Sequence, residues 1–173
     1  MKTLTIITGA SAGMGREFAR QIYPDCKSDE IWLLARRKEN LEELAQELYK
    51  IRRKSTAEIS IKTIQIDLSG KSGVQSFKNL IESEIQATGE IIIQTLINNA
   101  GFGTYGTFEN TKTDRQLEMI ELNCVSLTGI CGISIPYMKK NSLLLNVASL
   151  AAFMPLGNFA VYGATKAYVL SFT

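Results

Sequence analysis

The chain has 173 residues, 19 Lys plus Arg against 17 Asp plus Glu for a net charge of +2, with 45% hydrophobic and 21% charged residues. This ordinary globular composition excludes a disordered tail or collagen-like repeat, and the near-neutral balance lacks the basic face of a nucleic-acid binder. Histidine is absent, which removes Ser-His-Asp hydrolases, Cys-His proteases and His-ligated zinc.

The chain opens on a β-branched run, Leu4–Thr8, that reads as a strand and is too short for a signal peptide. Residues 13–23 read as a helix broken at Pro24, and Ile31–Ala35 as a second strand. From 38 to 53, Leu41, Leu44, Ala45, Leu48 and Ile51 fall at helical spacing, and the charges opposite read as a solvated face. Ile59–Ile66 is the third strand. Ser69 is a candidate N-cap for a helix carrying Val74, Phe77, Leu80, Ile81 and Ile85 on one face. Thr95–Asn98 is the fourth strand. A long helical pattern covers 114–138, weakened at Gly129 and Gly132. Leu143–Val147 is the fifth strand, and a last helix begins near Asn158. No run approaches the roughly 18 apolar residues of a membrane span. Cys26, Cys124 and Cys131 form no Cys-x-x-Cys pair and suit a reducing cytoplasm.

Strands alternating with helices predict an α/β fold, a doubly wound parallel sheet. The first strand runs into Thr8-Gly9-Ala10-Ser11-Ala12-Gly13-Met14-Gly15 and then a helix. Glycines there permit a tight turn and close backbone approach, and a helix N-terminus offers free N–H groups to a pyrophosphate. The spacing is GxxxGxG rather than GxGxxG, and a structural αβ turn also uses glycine. A Walker loop fails, because Gly15 is followed by Arg16-Glu17 rather than Lys and Ser or Thr. The second strand ends in Leu34-Ala35-Arg36-Arg37 where an NAD site places a carboxylate. Two arginines there attract a 2′-phosphate, so NADP(H) is expected over NAD(H); the bland alternative is a pair of solvated helix-start charges.

Strand five ends in Asn146-Val147-Ala148-Ser149, and Tyr162-Gly163-Ala164-Thr165-Lys166 follows. Positions 162 and 166 share a helix face. Carbonyl reduction needs hydride at carbon and a proton at oxygen. A Lys ammonium one turn from a tyrosine favours the phenolate, and a serine hydroxyl can hydrogen-bond the reacting oxygen. Alone, such a Tyr–Lys pair is ordinary amphipathic surface and such a serine an ordinary cap.

With the Gly loop, Asp67-Leu68, Asn98-Asn99-Ala100-Gly101, Asn123, Ser149 and Tyr162-xxx-Lys166 in this order, the whole chain resembles the short-chain dehydrogenases/reductases. The resemblance implies a Rossmann fold with sheet order 3-2-1-4-5. It makes Tyr162 the general acid or base, Lys166 its partner and a ribose ligand, Ser149 the orienter of the substrate oxygen and Asn123 the holder of a relay water. Gly9, Ser11, Gly13, Met14, Gly15, Arg36, Arg37, Asp67, Leu68, Asn99, Ala100 and Gly101 line the cofactor with Tyr162 and Lys166. Other readings stand beside these: Asn98–Gly101 also closes a strand, Asn123 alone is a buried polar group, and Asp67 is a cap. Ser149–Pro155 looks like a substrate-side loop, and its apolar residues suggest a ketone, steroid or acyl chain.

The family continues past the Tyr/Lys helix with further strands, a Pro-Gly motif and a substrate lid. Residues 1–173 are therefore expected to be one dinucleotide-binding domain, incomplete at its C-terminus. Three functions follow: an NADP-dependent carbonyl reductase or alcohol dehydrogenase, an inactive dinucleotide-binding fragment or sensor module, and a nucleotide-sugar epimerase or dehydratase. The last fits poorly with Ala35-Arg36-Arg37. A homo-dimer or homo-tetramer is expected through the 114–138 helix and the Tyr/Lys helix, though core packing within one chain explains Met119, Leu122, Val125, Leu127, Val161, Ala164, Tyr168 and Val169 equally well. No membrane or nucleic-acid partner is expected.

Overall fold

A computed structural model describes residues 1–51 and 59–173. Five parallel strands form one sheet in the order β3-β2-β1-β4-β5. They are β1 (Lys2–Thr8), β2 (Glu30–Ala35), β3 (Ser60–Gln65), β4 (Ile91–Asn98) and β5 (Leu143–Asn146). Between them run α1 (Gly13–Ile22), α2 (Lys38–Ile51), α3 (Gly70–Thr88), α4 (Thr113–Ile120) and α5 (Leu127–Ser134); α6 (Ala160–Phe172) follows β5. The expected end of α2, at residues 52–53, lies outside the described residues.

Side chains alternate across the sheet as the pleat requires. Ile31 and Leu33 join Ile7, Ile97 and residues of α1 and α2, including Ala19, Leu41, Leu44 and Leu48. Trp32 and Leu34 join Leu4, Ile6, Ile93, Leu96, Phe77 and Ile81 of α3, and Ile130 of α5. With helices on both faces, the inner strands read as near-continuous apolar runs. Val169 of α6 packs on Leu127 and Cys131 of α5.

The structure departs from the sequence expectations in four places. First, β4 starts at Ile91, not Thr95. Ile93 pairs with Leu4 while Thr95 pairs with Thr5, so Gln94 is an extra residue that shifts the register between the two strands. Second, the irregularity in the long helix is not at Gly129 and Gly132. It is a π-helical turn over Glu121–Ser126, between α4 and α5. Gly129 instead lets α5 approach α3, because a Cβ there would lie 2.5 Å from Val74 Cγ1. Third, Ser69 occupies the N-cap position of α3 but makes no side-chain cap bond. Asp67 Oδ1 accepts the Ser69 N–H at 3.0 Å, and Ser126 Oγ accepts the Gly70 N–H at 2.9 Å. Fourth, the charges on α2 are more than solvated surface. Glu43 and Glu47 pair with Arg16, and Glu47 also pairs with Arg20 at 2.7 Å, tying α2 to α1.

The helical stretch Thr113–Tyr137 contains a window of mean hydropathy 1.4, long and apolar enough to cross a membrane. Of that window 44% is buried against the rest of the chain, as in a core helix. Cys26, Cys124 and Cys131 are free.

At the amino edge of the sheet, Glu84 is 6% exposed and its carboxylate meets Lys2 and Lys62, each at 2.7 Å. Burial pushes the Glu84 carboxyl up, but the two ammonium groups outweigh it and hold it below the ordinary value. A depressed carboxyl contributes stability above its unfolded pKa, and loses it as pH falls through the folded one. Glu84→Gln is therefore expected to cost about 2 kcal/mol at neutral pH, a melting temperature about 4–8 °C lower. The gap should close below about pH 4. Thermal melts across pH check this; a gap independent of pH would refute it.

Candidate functional site

The chain leaves β1 at Thr8 and turns at Gly9, where φ is 67°, a left-handed conformation that disfavours any side chain. Gly15, in the first turn of α1, is constrained by space instead. A Cβ there would lie 2.3 Å from the Gly9 carbonyl oxygen and 2.5 Å from Asn99 Nδ2. Only hydrogen lets the helix close on the turn. Two polar side chains lock this junction. Thr8 Oγ1 accepts the N–H groups of Asn99 and Ala100, both at 3.0 Å, and donates to the Ile97 carbonyl at 3.3 Å. The Asn99 amide donates to the carbonyls of Thr8 at 3.1 Å and Gly9 at 3.3 Å.

Above this junction an open groove of about 570 Å³ follows the carboxyl ends of β1 to β4. It is lined by Gly9, Ser11, Gly13, Met14, Arg36, Arg37, Asp67, Leu68, Asn99, Ala100 and Gly101. These are the residues expected from the Gly loop and the strand ends. Gly15 is the exception: it is buried and does not line the groove. Arg36 and Arg37 are exposed, and Arg37 Nη2 donates to Ser11 Oγ at 3.4 Å. Among the described residues neither guanidinium makes an ion pair.

A second cluster abuts the groove at Gly101. A Cβ on Gly101 would lie 2.8 Å from Asn123 Oδ1 and 3.7 Å from Lys166 Nζ. Asn123 sits in the π-helical turn and is 1% exposed. Its Oδ1 accepts the Phe102 N–H at 3.1 Å, and its Nδ2 donates to the Phe102 carbonyl at 2.9 Å and Thr165 Oγ1 at 3.0 Å. Thr165 Oγ1 in turn donates to the Tyr162 carbonyl at 2.8 Å. The Asn123 amide thus ties the loop after β4 to α6.

Lys166 is 6% exposed. Its ammonium donates to the Val147 carbonyl at 2.6 Å and lies 6.0 Å from the Tyr162 ring centroid. Burial pushes it below the ordinary lysine value. Tyr162 is half-buried, its ring stacked at an angle on Phe159 with centroids 5.6 Å apart. Ser149 caps the short turn Leu150–Ala152, its Oγ accepting the Ala151 N–H at 3.2 Å. That turn packs on α6, where a Cβ on Gly163 would touch the Ala151 carbonyl at 3.4 Å. Cys124 neighbours Thr165, and burial pushes its thiol up, so it is poorly suited to nucleophilic work.

Sequence reasoning missed Thr165 and Ser126. Thr165 carried one signal, a hydroxyl one turn after Tyr162 that can bond back to the helix backbone. Ser126 Oγ donates to the Glu121 carbonyl at 2.9 Å inside the π-helical turn. No local pattern marks such a turn.

The buried ammonium has a measurable consequence. A lysine whose folded pKa is depressed binds fewer protons than the unfolded chain just below the free value of about 10.4, so stability rises with pH in that window. Relative to Lys166→Met, the wild-type melting temperature is expected to climb as pH rises toward the free lysine value of about 10.4. A difference that does not change on the alkaline side of neutrality would refute the penalty.

The family model for short chain dehydrogenase matches residues 3–173. The chain is 33% identical to an NADP-dependent 3-hydroxy acid dehydrogenase of Schizosaccharomyces pombe, over 97% of this chain and 62% of the relative. It is 30% identical to a very-long-chain 3-oxoacyl-CoA reductase of Pyrenophora tritici-repentis, over 96% of this chain and 47% of the relative. Among solved structures, a short-chain dehydrogenase from Sphingobium yanoikuyae in complex with NADPH superposes with a TM-score of 0.79 at 27% identity. The match covers 99% of this chain and 62% of that one. L-Sorbose reductase from Gluconobacter frateurii, complexed with NADPH and L-sorbose, gives 0.80 at 25% identity over 99% and 61%. The chain spans about half to two thirds of the length of these proteins. With the family model matching all but its first two residues, and with this sheet order and glycine turn, the chain belongs to the short-chain dehydrogenase family.

Proposed function

We propose that the protein is an NADP-dependent oxidoreductase that interconverts a carbonyl and an alcohol, with Tyr162 as proton donor and acceptor. One observation carries this reading: Gly101 lines the nucleotide-sized groove and stands directly against Asn123 and Lys166. This adjacency supports reading the groove and the titratable cluster as one site.

The residues fit the cofactor. The turn at Gly9 and the N-terminus of α1 accept a pyrophosphate. Arg36 and Arg37, free of ion pairs among the described residues, offer planar donors to a 2′-phosphate. Relatives solved with NADPH support this choice. When bound, NADPH supplies the hydride. Tyr162 hands a proton to the substrate oxygen, and no described residue hydrogen-bonds its hydroxyl. Lys166, itself buried, holds a positive charge beside the phenol, where it stabilises developing negative charge. Ser149 has its acceptor used by Ala151 N–H, which leaves its proton for the substrate oxygen. The Asn123 side chain ties Phe102 to Thr165, so a relay water at this position would bond the backbone of the π-helical turn.

The substrate side is apolar. Leu150, Phe153 and Met154 are exposed, and Lys166 is the one charged residue between Asn141 and Thr173. A neutral, largely apolar ketone or aldehyde suits that surface. A second copy of the chain is the partner we assign to the exposed apolar residues of the long helix and α6, among them Val125, Tyr168 and Phe172. Cytoplasmic residence suits the three free thiols.

Nucleotide fluorescence titration tests the cofactor reading. NADPH is expected to bind at least about tenfold tighter than NADH, a difference of about 1.4 kcal/mol. Arg36→Asp is expected to reverse the order. Equal affinities would remove the role of the arginines, and no binding of either nucleotide would overturn the whole reading. Tyr162→Phe should lower kcat for carbonyl reduction by about 100-fold or more with nucleotide affinity retained. Binding without turnover in any carbonyl screen would favour a nucleotide-binding module instead.

A further inference from the structure

We propose that Asn158 is a positioning residue for Tyr162, clasping the loop after β4 across the start of α6. The inference rests on the reading of Tyr162 as the proton donor and adds a residue to its support.

Asn158 has φ of 63°, one of two non-glycine residues with positive φ among those described. Asparagine tolerates this conformation better than other side chains do, yet it remains disfavoured. It persists where surrounding contacts over-determine it, and two contacts converge on it. Its carbonyl accepts the Gly106 N–H at 2.9 Å. Its Nδ2 donates to the Tyr105 hydroxyl at 2.9 Å. Both partners lie on the loop between β4 and α4, which is 53 residues away in sequence at Tyr105.

That loop touches Tyr162 directly. A Cβ on Gly103 would lie 2.9 Å from Tyr162 Cδ2, so the loop backbone presses on the ring. The ring also meets Phe159, which meets Tyr105 edge-on with centroids 5.2 Å apart. Tyr105 is 70% exposed, so little besides Phe159 and the Asn158 amide orients it. At its far end the loop is fixed independently. Gln116 Nε2, on α4, donates to the carbonyls of Phe108 at 3.0 Å and Thr111 at 3.1 Å. The near end is held by Asn123, which pairs with both backbone groups of Phe102; between these two anchors, Tyr105 and Gly106 are tied to α6 through Asn158.

Placement of a half-buried phenol matters because proton transfer demands hydrogen-bond distance, and a small displacement costs a large factor in rate. The clasp fixes the ring through both of its neighbours: Gly103 and Phe159 each contact it, and Asn158 ties the loop that carries Gly103 to the segment that carries Phe159.

Three variants separate the parts of the device. Tyr105→Phe keeps the ring and removes the hydroxyl. Asn158→Gly keeps the backbone conformation and removes the amide. Asn158→Ala removes the amide and adds strain. The readouts are the ring ¹³C resonance of Tyr162 in the full chain, assigned by its loss in Tyr162→Phe, NADPH affinity, and NADPH-driven reduction of 4-nitrobenzaldehyde. We expect Tyr105→Phe and Asn158→Gly each to shift or broaden the Tyr162 resonance and to lower kcat about tenfold, with KM and NADPH affinity unchanged. Asn158→Ala alone should also lower the melting temperature. A purely structural role would move melting temperature and leave the resonance and kcat in place. An unmoved Tyr162 resonance in both Tyr105→Phe and Asn158→Gly overturns the clasp whether or not the chain turns over the aldehyde. Full turnover by Tyr162→Phe would strike the underlying assignment of Tyr162, while the resonance still decides whether the clasp holds the ring.

Discussion

One hydroxyl group joins the two halves of the sheet where the site opens. The strand order runs outward in both directions from the β1–β4 pair. The chain leaves β1 for α1 and β2, and leaves β4 for the long loop and α4, so the two connections diverge and a crevice forms between them. Such a crevice exposes backbone groups at the strand ends that have no ladder partner, and these must be satisfied. Thr8 Oγ1 meets two of them, the N–H groups of Asn99 and Ala100, and donates its own proton to the carbonyl of Ile97. Asn99 then meets the carbonyls of Thr8 and Gly9. The same amide occupies the space a side chain on Gly15 would need. Loop shape, helix approach and groove floor are thus consequences of a single hydrogen-bonded junction. It also redefines Asn99, which shapes the floor of the groove as well as lining it.

The molecule buries charge at both ends of the sheet, on opposite terms. At the amino edge, Glu84 is met by Lys2 and Lys62, and Glu30 by Lys2 at 2.9 Å, the Trp32 Nε1–H at 2.5 Å and Ser60 Oγ at 3.2 Å. Each buried carboxylate has a counter-ion and hydrogen-bond donors. That is the condition under which burying charge is tolerable. At the carboxyl edge, Lys166 is equally buried but is offered a carbonyl in place of a carboxylate. Its burial disfavours its charge. A counter-ion would relieve that penalty and also neutralise the field the ammonium projects. The first arrangement is built for stability. The second accepts a local cost of the kind functional sites carry.

Much of this was legible in the sequence because it rests on local pattern. The five strands, their order by resemblance, and the Gly loop each depend on residue types at short spacing. So do the two arginines after β2 and the Tyr162–Lys166 pair. What escaped depends on contacts between distant segments. The extra residue Gln94 in β4 is visible only in its pairing with β1. The π-helical turn at Glu121–Ser126 has no composition of its own. Ser126 sustains it by donating to the Glu121 carbonyl while accepting the Gly70 N–H, 56 residues away in sequence. Ser69 looked like a cap by spacing, yet its neighbours Asp67 and Ser126 supply the caps. The charges of α2 looked solvated because a helical wheel cannot show Arg16 and Arg20 on a different helix.

The sparse charge of the last segment bears on how the site works. From Asn141 to Thr173 the chain carries Lys166 and no other charged side chain. Two unit charges interact with an energy that scales inversely with effective dielectric and distance, so a lone buried charge dominates its surroundings when no opposing one is near. The ammonium is held by the Val147 carbonyl, on the strand end that also leads to Ser149, and by a helix tied to the π-helical turn through Asn123 and Thr165. Its position is therefore set by the sheet rather than by solvent or by an attracted counter-ion. A charge fixed in this way needs little reorganisation when negative charge develops beside it, which is the physical basis of electrostatic preorganisation. The tie from β4 through Asn123 to α6 places that charge where the groove ends, at Gly101. On the proposed function, the fold thereby places the one charge of this apolar segment beside the reacting groups.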